Sequence, residues 1–436
     1  MMVAARRSTR LVATAVATIL ALAACGGPDD DSPDELADSR VERAAQDSHV
    51  SLVDELYVDP ADYDFASNPD LLDRVVGSAH GYFRFINIPF SQAVCGRWAA
   101  EWADSASIAH TLRLNLHGDA HIEQYAVTEL GRGLTDFDDS STGPAALDAL
   151  RFGVSLLLAS RANGFEEKAD ESLNAFAAGY RAALEDPDAE APEPQIARRK
   201  AASFQPDREA YFEFVSSQME PMPEAERDRL LQSMQAYVER IRMEDPDLRD
   251  EFFDVVGTGG LKLGIGSALD RKYLVRVKGD TDDPMDDEVL EIKEVRSLAG
   301  IDCIEASEDD PFRVLLSQAR IAYRPFDHLG YMRLDGRNFW VHAWVQNYDE
   351  IEIEESFESP EELAEVAYDA GIQLGRGHHK MIAAPFDAQL KQAQLEFLDT
   401  HSGEVAAAAR ELADAVVEAW RRFREAVVAA DTSGRG

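Results

Sequence analysis

The sequence predicts an α+β protein in which a small antiparallel sheet lobe accompanies a larger, mostly helical lobe. Three observations predict it. Long segments on both sides of the middle carry apolar residues at helical spacing, as in "AALDALRFGVSLLLASRANG". From residue 256 the texture changes: "VGTGGLKLGIGSALDRKYLVRVKGD" is dense in glycine and then alternates Tyr273, Val275 and Val277 at period two. Finally, Leu112, Leu114 and Leu116 alternate with polar residues as a half-buried strand does, and the charged stretch "HGDAHIEQY" comes at once after them. A charged cluster at a strand end is where functional sites are usually built.

Arg6, Arg7 and Arg10 precede the apolar run "LVATAVATILALA", which is short and alanine-rich for a membrane span, and "LAAC" ends it. This pattern resembles a bacterial lipoprotein signal over residues 1–25, with Cys25 as the lipidated residue; the expectation is a protein exported and anchored to a membrane by lipid alone. Residues 26–45, "GGPDDDSPDELADSRVERAA", are rich in glycine, proline and acid with little to bury, and read as a tether. Residues 46–255 read as a helical lobe containing strands near 112–117, 123–129 and 133–137, with a helix after Gly143-Pro144 that ends at Asn163-Gly164. Residues 256–350 read as the sheet lobe: strand, glycine turn, strand, the acidic loop "DTDDPMDDE", the strand "VLEIKEVRS", a helix over 310–323, and two strands joined by Asp335-Gly336. Residues 351–436 read as a helical return packing on the larger lobe.

Charge narrows the function classes. The chain of 436 residues has 43 basic and 82 acidic residues, a net charge of −39. Such a field repels nucleic acid and anionic lipid surfaces, which excludes nucleic-acid binding from the expectations. Only 8 of the basic residues are lysine, a composition suited to salty surroundings. Apart from Cys25, the cysteines are Cys95 and Cys303; they lie far apart in the chain and are expected to be buried free thiols, with pairing the alternative in an oxidising compartment.

Two groups of residues carry the chemistry. A glycine turn between strands lets backbone amides approach a phosphate, and a lysine on the third strand can neutralise it; Gly264, Gly266 and Ser267 with Lys293 after them are so arranged. Protein kinases also carry a histidine, a variable residue and an aspartate, then four residues and an asparagine, and further on an Asp-Phe pair. Here His117-Gly118-Asp119 precedes four residues and Gln124, and Asp136-Phe137 stands where that pair belongs.

The stretches "HGDAH" and "DFDD" resemble the aminoglycoside phosphotransferase branch of kinase-like folds. The run "HGDAHIEQYA … TDFDDSSTGPAALDALRFGVSL" resembles the DUF2252 family still more, with its segments GD-x-H-x-x-N-F-G, N-D-F-D-E and G-P-x-x-W-D-x-x-R-L. The later "GIGSALDRKYLVRVKG", "EIKEVRS" and "LGRGHHK" resemble that family's glycine-rich, Q-x-K-E and A-R-A-H segments. The resemblance implies a kinase-like fold and a phosphotransferase using ATP and magnesium, with a nucleotide and an unknown acceptor as its partners. It makes Asp119 the catalytic aspartate, Gln124 and Asp136 metal ligands, Asp138 a further ligand, Lys293 the phosphate lysine, and Gly264, Gly266 and Ser267 the phosphate loop. It makes Asp148 a structural aspartate steadying the catalytic loop, and Arg84 a substrate or phosphate contact or else a structural ion pair.

The departures are as specific. Gln124 replaces asparagine, Ala146-Leu147 stands where the family has a tryptophan, and the helix over 310–323 holds no glutamate to pair with Lys293, Gln318 being the nearest polar candidate. The catalytic acids also precede the glycine turn and lysine, which a circular permutation explains if the helix over 360–382 ends beside His117. Two other readings stand. His117, Asp119, His121, Asp136, Asp138 and Asp139 offer ligands for a metal-dependent hydrolase, although His121 reads first as a structural residue and His378 and His379 as lining their helix end. A catalytically inactive binding or scaffold protein on the same frame is the other, and nucleotidyl transfer stands beside phosphoryl transfer.

Overall fold

The structure, a computed structural model, describes residues 50–99, 102, 113–261, 270–305, 309–354 and 356–433. The signal segment with Cys25, the tether, and Gly264, Gly266 and Ser267 of the glycine turn lie outside the described residues. Ser51–Gly436 form one compact unit of mixed helix and antiparallel sheet.

Short helices come first: α1 (Leu52–Leu56), α2 (Pro69–Gly77), α3 (Ala79–Phe85) and α4 (Asn87–Val94). Side chains cap several of them, Ser51, Asn68 and Ser78 accepting from backbone amides one turn on. β1 (Leu114–Leu116) pairs with β4 (Ser141–Gly143), and β2 (Tyr125–Thr128) lies between β3 (Gly131–Leu134) and β10 (Tyr348–Glu350). The strand expected to reach 137 stops at Leu134, because the chain must turn to present Asp136, which takes a left-handed φ of 56°. α5 (Ala146–Ala162) comes next and ends at Asn163, with Gly164 at φ 69°. It is buried nearly all round, which is why its apolar residues cover more than one face.

α6 (Ala169–Glu185) packs on α11 (Pro360–His379) at very close range. Gly179 faces the Tyr368 carbonyl and Gly371 the Phe176 carbonyl so tightly that a Cβ at either would collide with backbone. α7 (Gln195–Ala201), α8 (Arg208–Gln218) and α9 (Glu224–Glu244) lead to the larger sheet, and α12 (Phe386–Ser433) runs along α5, α6 and the first helices.

The larger sheet comprises β5 (Val255–Gly260), β6 (Lys272–Val277), β7 (Glu288–Glu294), β8 (Gly330–Leu334) and β9 (Arg337–Ala343), in the order β5-β6-β7-β9-β8, with α10 (Pro311–Arg320) between β7 and β8. Asp335 and Gly336, at φ 52° and 83°, make the tight turn expected between β8 and β9. Period-two alternation divides this sheet. Tyr273, Val275, Val277, Leu290 and Ile292 pack against Leu230, Met234 and Tyr237 of α9. Their neighbours Lys272, Glu291 and Lys293 therefore face the opposite way, and register pairs Lys293 with both Lys272 and Trp340.

The cysteine expectation is corrected. Cys95 and Cys303 form a disulfide with S–S 2.04 Å and Cα–Cα 5.5 Å, across a separation of 208 residues. The segment after β7 folds back on α4: Leu298 and Ile301 share a core with Phe90 and Val94, and Gln92 Nε2 donates to the Gly300 carbonyl at 3.0 Å. Distance along the chain carried no information about this return.

Candidate functional site

The site begins where β1, buried along its length, runs into His117-Gly118-Asp119. Gly118 sits at φ 83° and presses on the Asp139 carbonyl, where any side chain would collide, so the turn requires glycine. The loop is pinned from below by Asp148 in the first turn of α5. Its carboxylate accepts from the amides of His117 and Gly118 at 2.7 and 2.8 Å and is met by His378 Nε2, at the end of α11, at 3.0 Å. Asp148 thus holds this loop through two backbone amides, and α11 ends beside it.

Asp119 is held from α5 as well. Arg151 Nε donates to Oδ1 at 2.8 Å, and the guanidinium lies 3.8 Å from the centroid of the Phe83 ring. Burial would raise the Asp119 carboxyl, but the charge of Arg151 and its hydrogen bond hold it well below the usual carboxylate range. Arg151 was not among the residues singled out in the sequence. The signal was there: it stands three residues after Asp148, on the same helix face, and the family's G-P-x-x-W-D-x-x-R-L segment carries an arginine at that position.

Gln124 Nε2 is 3.4 Å from Asp119 Oδ2 and 3.5 Å from Asp136 Oδ2, so it lies between the two acids, and its Oε1 is buried without a partner. Lys293 Nζ reaches Asp136 Oδ1 and Asp138 Oδ2, each at 2.6 Å. Trp340 Nε1 fixes the other Asp138 oxygen at 2.8 Å. Burial opposes ionisation at Asp136, but Lys293 overrides it and the Asp136 carboxyl stays far below its ordinary value; burial and the Asp136 charge together push Asp138 up to about 7. The acids are thus differentiated, Asp136 bearing the charge and Asp138 resisting it.

Other predicted residues fall into structural roles. His117 Nε2 meets the Thr135 carbonyl at 2.8 Å while Nδ1 accepts from the Asp119 amide at 3.3 Å, so both nitrogens are engaged. The His121 ring is buried beside His80 and Phe83, and burial pushes it down to about 3. Arg84 is paired to Glu123 at 2.6 Å, the structural ion pair of the two readings, and its side chain also lines the pocket. Gln318 is buried in α10 beside a different, small pocket with Phe137, and Lys293 is met by the two aspartates instead. Arg313 is the α10 side chain at the site, donating to the carbonyls of Asp138 and Ser140. Arg296, on the chain leaving β7, lies 3.4 Å from Asp139 and 3.3 Å from Asp270.

Arg84, Asp138, Asp139 and Arg296 are among the residues that line a cleft of about 270 Å³. Asp119, Gln124, Asp136 and Lys293 bound one part of it; Tyr211, Phe326, Trp344 and Tyr348 give it aromatic walls. Among the described residues no three His, Cys, Asp or Glu side chains cluster as a ready-made metal cage. The oxygen donors of Gln124, Asp136 and Asp138 still suit a hard cation that takes part of its coordination from a ligand's phosphates and water. The unpartnered Gln124 Oε1 is the atom such a cation would satisfy, since the two ends of an amide interchange by rotation.

No curated protein and no solved structure matches the chain. The family model described as "Uncharacterized protein conserved in bacteria (DUF2252)" matches residues 72–210 and 193–426, which include every residue of the cleft just described. With most of its length covered, the chain belongs to the DUF2252 family.

Proposed function

We propose that the protein is a kinase-like phosphotransferase that uses ATP and magnesium, in a circularly permuted chain, to phosphorylate an acceptor of unknown identity. The observation that carries this is Lys293 on the third strand of the sheet, 2.6 Å from both Asp136 and Asp138, beside an Asp119 that Arg151 holds on a loop pinned by Asp148. A lysine so placed, ahead of a helix and facing an Asp-Phe segment, is the arrangement with which kinases hold phosphates. Lys293 and Asp136 lie in contact, as the permuted order requires.

In this reading Asp119 orients the acceptor hydroxyl and receives its proton as the oxygen attacks the γ-phosphorus, while ADP leaves. Gln124, Asp136 and Asp138 would hold the magnesium, which supplies neutralisation of phosphate charge. Lys293, shared by two carboxylates, would exchange one of them for a phosphate oxygen. The aromatic walls would flank the base. Calorimetry with Mg-ATP on the protein, on Asp136→Ala and on Lys293→Ala tests this: both substitutions should weaken binding by about tenfold or more. No binding at ~1 mM ATP by the folded protein would sink the reading.

One observation favours an inactive nucleotide-binding or scaffold protein: α10 offers Lys293 no carboxylate and places Arg313 at the site instead. Binding without ADP formation against a screen of hydroxyl acceptors would select that alternative. We further propose export with a lipid anchor at Cys25, supported by the Cys95–Cys303 disulfide, a bond that persists in oxidising compartments. Retention of a Cys25→Ser protein in the membrane fraction would count against it.

A further inference from the structure

A second cleft, of about 480 Å³, shares no lining residue with the first. It forms where α10 and α11 both end. Arg320 is the last residue of α10 and Arg324 lies just beyond it; Arg376 lies in the last turn of α11 and Lys380 caps that helix. Among the described residues none of these cations has a carboxylate within salt-bridge distance. Arg132, also at the cleft, is matched by Asp369 at 2.7 Å, and Glu190 and Glu193 stand exposed on its lining.

Unneutralised cations gathered in a chain of net charge −39 call for a reason. A helix C-terminus welcomes a positive side chain, but each end supplies only about half a charge, and two ends leave most of this cluster unbalanced. Arg320 spends one nitrogen on Asn115 Oδ1 at 2.8 Å, while its Nε is buried without an acceptor. Burial, and for Lys380 also the Arg376 charge, lowers the pKa of Arg320 and Lys380, so the charged forms stand uncompensated.

We propose that this cleft is a binding site for a small phosphorylated anion, separate from the candidate catalytic pocket. The guanidinium groups supply forked donors that match phosphate oxygens, and Lys380 adds a point charge at the rim. The volume suits a phosphate ester of a small molecule better than a bare ion. The cleft also adjoins the candidate catalytic loop through Asn115, which accepts from Arg320 and donates to the carbonyls of Gly377 and Lys380 at 2.8 and 3.0 Å. Asn115 is two residues ahead of His117. The proposal does not depend on nucleotide binding in the first pocket.

The test is calorimetric titration of the whole chain with pyrophosphate, without metal and at low ionic strength. Wild type and Lys293→Ala should bind alike, and Arg324→Gln/Lys380→Gln, both exposed positions, should weaken binding about tenfold or more. Arg320→Gln/Arg376→Gln, its fold checked by circular dichroism, should abolish it. Binding lost in Lys293→Ala and retained in Arg324→Gln/Lys380→Gln would place the anion in the first pocket and overturn the proposal. So would the absence of binding to folded wild type at ~10 mM pyrophosphate.

Discussion

Asp119 is only 5 % exposed, and Arg151, 1 % exposed, is the cation that keeps it ionised. Removing one member of a buried pair leaves the other charge uncompensated, at a cost of about 3–5 kcal/mol. Arg151→Ala is therefore expected to destabilise the protein by that order, as a lower denaturant midpoint with an unchanged slope, whereas Asp119→Ala/Arg151→Leu should recover much of the loss. Equal losses in the single and double variants would show that the pair does not act as a unit. The sequence singled out Asp119, Gln124, Asp136, Asp138 and Lys293 by a spacing that resembles the kinase pattern, and the structure brings them to one cleft. Arg151 escaped although its spacing from Asp148 marks it, and Trp340 escaped because an apolar strand position carries nothing local that separates a site contact from core.

Helices and strands were legible to the extent that local pattern decides them. β7 shows why: alternation puts Ile292 in the core and so turns Lys293 toward the site. The tight turn at Asp335-Gly336 likewise comes from residues that tolerate positive φ. Local pattern could not reveal the long-range return of the segment after β7 onto α4. That return is clamped by Cys95–Cys303, which closes a loop of 208 residues. A cross-link of such length limits the unfolded chain by about 5 kcal/mol in the chain-entropy model, with about 2–5 kcal/mol seen on removing native disulfides. Cys95→Ala/Cys303→Ala is expected to lower stability within that range. Because Arg296 and Arg313 lie on either side of Cys303 and hold Asp139 and the Asp138 carbonyl, the same variant should also show faster amide exchange from residues 296 to 304. Wild-type protection there would place the restraint in the core packing alone.

At the scale of the whole molecule the charge is unevenly spent. Of only 8 lysines, Lys272 and Lys293 are buried side by side across β6 and β7 in the candidate site, and arginines converge on the second cleft, while acids dominate the total. Among the described residues most of the acids are not buried, and where they are exposed they outnumber their partners and repel one another. Screening acts on such exposed charges and hardly on the buried Lys293 pairs, because the Debye length falls from about 30 Å at ~0.01 M salt to about 3 Å at ~1 M. Added sodium chloride should therefore relieve surface repulsion without loosening the site, raising Tm by ~5 °C or more between ~0.01 and ~1 M. A melting series read by circular dichroism checks this. A flat or falling series would mean that exposed ion pairs such as Arg161–Asp414 and Arg422–Asp54 contribute more than the excess acids cost. The saline surroundings suggested by the composition would then lose their physical basis.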